Sequence, residues 1–77
     1  MSNTPHELAD EFPQEAERIR ELRLEDAHFA RLADEYHEVN RAVHRAETRA
    51  EVVSDQHETE LRRRRMQLKD EIGRILA

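Results

Sequence analysis

The stretch Phe29-Ala-Arg-Leu32-Ala-Asp-Glu-Tyr36-His-Glu-Val39-Asn-Arg-Ala-Val43-His-Arg-Ala46, continued to Ala50, decides the fold. Its apolar positions Phe29, Leu32, Tyr36, Val39, Val43, Ala46 and Ala50 recur at spacings of 3, 4, 3, 4, 3 and 4. That is a sustained heptad seam. It predicts an amphipathic helix built to lie along a second helix, in the manner of a coiled coil.

The second helix is legible downstream. Ser54 and Asp55 form a capping signal, with Glu58 three residues beyond Asp55. Leu61, Leu68, Ile72 and Ile75 then follow at heptad-compatible spacing to the C-terminus. The turn is expected near Glu51–Ser54. It contains no Gly or Pro, which suggests only a brief interruption.

These two helices fit one antiparallel register. Ala46 with Leu61, Val39 with Leu68, and Leu32 with Ile75 share an index sum of 107, and Tyr36 with Ile72 gives 108. A constant sum is what a hairpin demands, because one helix descends as the other rises. Val43 then faces Arg64 or Arg65, whose aliphatic stem can pack while its charged head reaches water.

Upstream, Thr4-Pro5-His6-Glu7 reads as a helix start, with Thr4 as cap, Pro5 at the first position and Glu7 completing a capping box. Pro13 bends or restarts the chain after Phe12. Ala16, Ile19 and Leu22 then form one helical stripe. Stepping on from that stripe lands on Asp26 rather than Phe29, so the phase breaks near Leu24–Ala27. Asp26 is a good cap for a new helix.

The expected architecture is therefore all-α: one domain over residues 1–77, with an N-terminal helical arm over 4–25 bent near 12–13, a central helix over 27–50 and a C-terminal helix over 55–76. The arm's apolar residues Leu8, Phe12, Ile19 and Leu22 should cover an open edge of the hairpin or bind a second copy. Two hairpins together would make a four-helix bundle.

Composition sets the same bounds. In 77 residues, 40% are charged and 4% aromatic, so no wide globular core is available. A core this small supplies a few kcal/mol at most unless association extends it. The interaction seam is expected at Phe29, Leu32, Tyr36, Val39, Val43, Leu61, Leu68, Ile72 and Ile75, and the partner is expected to be either a second copy or a helix from another protein. There are no cysteines, which excludes disulfides and permits a reducing compartment. No run approaches the roughly 20 apolar residues of a membrane span. Met1–Asp10 lacks the basic and apolar regions of a secretory signal, so a cytoplasmic location is expected.

Arg62-Arg63-Arg64-Arg65, with Arg41 and Arg45 across the hairpin, is the most conspicuous charged cluster. One reading is phosphate contact, with nucleic acid or an anionic surface. The other is a solvated helix face, with Glu58–Arg62 and Glu60–Arg64 at i,i+4. Residues 1–40 carry four Arg against eleven Asp/Glu, which argues against a nucleic-acid binder. Four successive helical residues also point in four directions, and no aromatic residues are interleaved to stack bases.

His6, His28, His37, His44 and His57 include no i,i+3 or i,i+4 pair, so no metal site is expected. His28, beside Phe29 at a helix start, suits a capping or packing role. A thin hairpin offers its paired carboxylates no dry pocket, so neither catalysis nor a cofactor is expected. Gly73 lies inside the last helix, where it costs about 1 kcal/mol against Ala unless close approach requires it.

Phe12-Pro13, Leu22, His28-Phe29 with Leu32 and Glu35-Tyr36, and finally Leu68-Lys69-Asp70-Glu71-Ile72 with Ile75-Leu76, together resemble the YdcH family. These are small bacterial proteins classed as a domain of unknown function. The resemblance implies a short helical hairpin and brings no catalytic residues with it. Arg62–Arg65 stand where relatives carry mostly lysines, and about eleven residues precede Phe12.

Overall fold

The computed structural model describes residues 4–77. The chain order is helix α1 (Leu8–Glu11), a 3-10 turn (Pro13–Glu15), and helices α2 (Ala16–Glu25), α3 (Ala27–Glu47) and α4 (Asp55–Leu76). The architecture is an all-α antiparallel hairpin of α3 and α4, with the arm of α1, the turn and α2 laid on it. Among the described residues there is no strand.

Each boundary has a local cause. Asp26 caps α3, its carboxylate accepting from the amides of His28 at 3.0 Å and Phe29 at 3.2 Å. Only that one residue separates α2 from α3. Ser54 caps α4 by accepting from the His57 amide at 3.1 Å. Pro13 opens the 3-10 turn, where its missing N–H costs nothing.

Two boundaries differ from the sequence reading. The first helix begins at Leu8, not at Thr4. Pro5 and His6 form a turn, with His6 in the left-handed region at φ 64. The capping box is not made: Glu7 is the cap residue, but its side chain bonds elsewhere. The central helix ends at Glu47, three residues before Ala50. The Thr48 hydroxyl takes the His44 carbonyl at 2.9 Å, and Arg49 turns left-handed at φ 65. The reversal then fills Thr48–Ser54, more than a brief interruption.

The core gathers Leu8 and Ile19 from the arm, Phe29, Leu32, Ala33 and Tyr36 from α3, and Leu68, Ile72 and Leu76 from α4. Phe12, Leu22, Val39 and Ile75 pack around it half-buried. Helix α3 thus packs on two neighbours at once, and its buried face is broader than one heptad seam. Phe29, Ala33, Tyr36, Asn40 and Val43 are all buried, at spacings of 4, 3, 4 and 3. Ala16 and Ala50 face water instead. On α4 the most buried row is Leu68, Ile72 and Leu76, and Ile75 sits at its edge.

Gly73 lies under the Phe12 ring. A Cβ there would meet Phe12 Cζ at 3.5 Å and Cε1 at 3.6 Å, ordinary van der Waals distances. The glycine is therefore not needed for close approach. Gly73→Ala should raise stability by about 0.5 kcal/mol, below the full helix-interior gain because the last turn frays. A thermal melt should rise by a few degrees; a fall would mean that the ring cannot give way.

Candidate functional site

The seam that sequence assigns to interaction lies inside this chain. Phe29, Val43, Leu68 and Ile72 are fully buried, Tyr36 is 1% exposed and Leu32 is 7% exposed. Val39, Leu61 and Ile75 are half-buried. The hairpin forms a groove, and the arm is its occupant.

Two polar side chains of α3 hold the arm's first turn. The Tyr36 hydroxyl donates to the His6 carbonyl at 2.6 Å. Asn40 Nδ2 donates to the Pro5 carbonyl at 2.8 Å, and Asn40 Oδ1 accepts from Arg65 Nη1 at 2.9 Å. Asn40 is fully buried, and among the described residues no buried side-chain polar atom lacks a partner. These two bonds fix a turn that includes a non-glycine residue at positive φ, a conformation costing about 1–2 kcal/mol. They read backbone carbonyls, not side chains.

Charged pairs continue the clasp along the arm. His37 Nδ1 lies 3.0 Å from Glu7 Oε2. Lys69 Nζ donates to Glu11 Oε1 at 3.1 Å, and His6 Nδ1 is 3.5 Å from the same oxygen. The Lys69 hydrogen bond holds the Glu11 carboxyl below its usual range, against the opposing effect of burial. Arg23 and Asp34 tie the end of α2 to α3 at 2.6 Å. Shallow depressions flank the arm. One, about 410 Å³, is floored by Phe12 and Gly73 and rimmed by Lys69, Asp70 and Arg74. Another, about 270 Å³, lies by Tyr36, Met66 and Arg65.

The arginine cluster is dispersed. Arg62 pairs with Glu47 and Glu58, Arg64 with Glu35 at 2.6 Å, and Arg65 bonds Asn40. Arg41, Arg45 and Arg63 have no ion pair among the described residues. The six arginines are not gathered into one anion cradle. Nor do the described residues include any group of three or more His, Asp or Glu placed to hold a metal ion. No helix among them is long and apolar enough to cross a membrane.

Asn40 and the Glu7, Glu11, His37 and Lys69 clasp were not visible from the seam. Asn40 reads as a polar residue outside a heptad running through Val39. Its signal was the second stripe, since it lies four residues after Tyr36 and three before Val43. His37 reads as a surface histidine until the arm is folded back on it. His28 contributes its backbone amide to the Asp26 cap, while its side chain is exposed.

Residues 29–76 match a family described as "Protein of unknown function (DUF465)". The chain belongs to this family. No curated protein and no solved structure matches it. The DUF465 match opens at Phe29, the first buried residue of α3, and closes at Leu76, the last buried residue of α4. It takes in the hairpin but for the first two residues of α3, and none of the arm.

Burial pushes the Tyr36 phenol up to about 12, with Glu11, Glu7 and Asp10 adding to it and Arg65 opposing. A raised folded pKa gives stability that is full below the unfolded value of 10.0 and lost as pH rises toward 12. Tyr36 is the chain's single tyrosine, so tyrosinate absorbance follows it alone. Its ionisation should be displaced upward by about two pH units and coincide with loss of structure. Tyr36→Phe should cost about 1 kcal/mol at neutral pH and flatten that alkaline decline. An ordinary tyrosine titration would mean that the arm does not sit on it.

The acid limb tests the other clasp. A lowered Glu11 pKa gives stability that is present above the ordinary value of 4.5 and lost as pH falls below it. Lys69→Gln should flatten the fall in melting temperature as pH drops below that value. An unchanged slope would separate Glu11 from the stability of the fold.

Proposed function

We propose that this protein is a non-catalytic protein-interaction module whose hairpin groove takes an amphipathic helical segment, with its own arm as the resident occupant. What supports this reading is the burial of Phe29, Tyr36, Leu68 and Ile72 in a core that includes Leu8 and Ile19 of the arm. The family match supports it too, because it stops short of the arm while covering every groove residue. The groove's geometry suits helix-in-groove recognition: apolar anchors enter a slot, and charged pairs line its rim. We also read the chain as one of the YdcH-like small bacterial proteins, a resemblance that implies the hairpin and no role of its own. The cysteine-free composition is compatible with the reducing cytoplasm in which we place the protein.

Anion binding through Arg41, Arg45 and Arg62–Arg65 has less support. Arg62, Arg64 and Arg65 already meet partners in the same chain. A phosphate would have to displace them.

The test supplies the occupant in trans. Leu8→Asp with Phe12→Asp, in the full chain, should unseat the arm while α3 and α4 keep their helicity. A synthetic peptide of residues 4–26 should then bind this variant, and the unaltered chain should bind it far more weakly. In sedimentation equilibrium the unaltered chain should run as a 9.2 kDa monomer at low concentration. A helical variant that takes up neither the peptide nor a second copy would sink the reading.

A further inference from the structure

We infer that the arm can be exchanged between two copies of this chain, by straightening at Asp26, to give a dimer in which each groove holds the other copy's arm. This rests on the reading of the groove as the arm's docking site, and it names the second copy as the groove's other occupant.

The hinge carries the argument. Helices α2 and α3 are interrupted by Asp26 alone, which is extended at φ −123 and ψ 107. From Ala16 to Glu47 there is no Gly or Pro, so nothing in the sequence forbids one continuous helix. In the bent form the amides of His28 and Phe29 are satisfied by the Asp26 carboxylate. In a straight form the amides of Ala27, His28 and Phe29 would donate to the carbonyls of Arg23, Leu24 and Glu25. Capping bonds are exchanged for helix bonds, so the hinge itself opposes straightening little.

Everything the arm makes on its own hairpin can be remade on a second one. Leu8 and Ile19 enter the same core, Phe12 covers the same glycine, and Tyr36 and Asn40 hold the same two carbonyls. Such exchange is a low-cost route to a dimer, and short hinges invite it. Leu24, two residues before the hinge, is 84% exposed in the closed form. Exchange sets two straightened hinges side by side and gives that side chain a surface to meet.

Two substitutions at one position separate hinge from groove. Asp26→Ala removes the cap and favours a helix interior; Asp26→Gly keeps a non-helical cap and disfavours one. The difference is roughly fivefold per hinge and, with two hinges, roughly 30-fold in the dimer dissociation constant. Sedimentation equilibrium should show Asp26→Ala dimerising at the lower concentration by that factor. Equal constants, or no dimer from Asp26→Ala at high concentration, would overturn the exchange.

The topology can be read directly. Lys69 is the chain's single lysine and lies 3.1 Å from Glu11, which suits a zero-length carbodiimide coupling. Heavy- and light-isotope Asp26→Ala chains are unfolded together, refolded, coupled and digested. In the dimer fraction about half of the Glu11–Lys69 peptides should join heavy to light, the statistical share for exchanged arms. A dimer whose coupled peptides are all of one isotope overturns the exchange and leaves the groove reading intact. Absence of the coupling from monomer and dimer alike would remove the docked arm, and with it both readings.

Discussion

Two helices packed side by side cannot hide a seam that is wider than their line of contact. This constraint shapes the molecule. Helix α3 carries an apolar face two stripes wide, and α4 covers only one of them. The second stripe, through Ala33, Tyr36 and Asn40, would face water if nothing else came down on it. The arm meets that need with Leu8 and Ile19. Burying two such side chains contributes roughly 3–6 kcal/mol before the cost of ordering the arm. For a domain this small that is a large share of the stability available.

The polar contacts of the arm set where it docks more than how tightly. The pairs at Glu7 and Glu11 are partly exposed, and such pairs contribute about 0–1 kcal/mol each. The Tyr36 and Asn40 bonds differ because their side chains are buried. If the arm left, these groups would need water in an otherwise apolar slot. They therefore penalise any occupant that lacks two carbonyls at that point, and so fix its register. An arm that was one turn out of place would leave both unsatisfied.

Much of this is legible in the sequence. The heptad spacing from Phe29 and the caps at Asp26 and Ser54 locate the two long helices, because amphipathic period and capping are local. Of the cross-hairpin bonds, Arg62–Glu47 at 109 and Arg65–Asn40 at 105 lie either side of the index sum of 107, while the long Arg64 side chain reaches along the helix to Glu35, at 99. What escaped was non-local. Thr4 and Glu7 have the letters of a capping box, but the Glu7 carboxylate is drawn to His37, thirty residues away. Asn40 carries no local mark of burial, since nothing near it in sequence reveals that Pro5 and Arg65 will satisfy it. Helix α3 ends short of Ala50 because Thr48 and Arg49 stop it without Gly or Pro, the residues by which such stops are usually read.

The division between hairpin and arm is also a division in what each part can do alone. The family match spans α3 and α4, which make the slot, while the element that fills it lies outside. A slot with buried hydrogen-bond donors has a physical requirement for an occupant, but not for a particular one. Tyr36 and Asn40 ask for backbone carbonyls, which every peptide has. Discrimination then falls to the apolar anchors and to the charges that meet His37 and Lys69. An acidic, amphipathic segment tethered one residue from the slot has a high effective concentration there, so it outcompetes free segments of similar affinity. Any segment offered in trans would have to displace the arm first, and the strength of that competition is set by the buried anchors Leu8 and Ile19 together with the one-residue tether at Asp26.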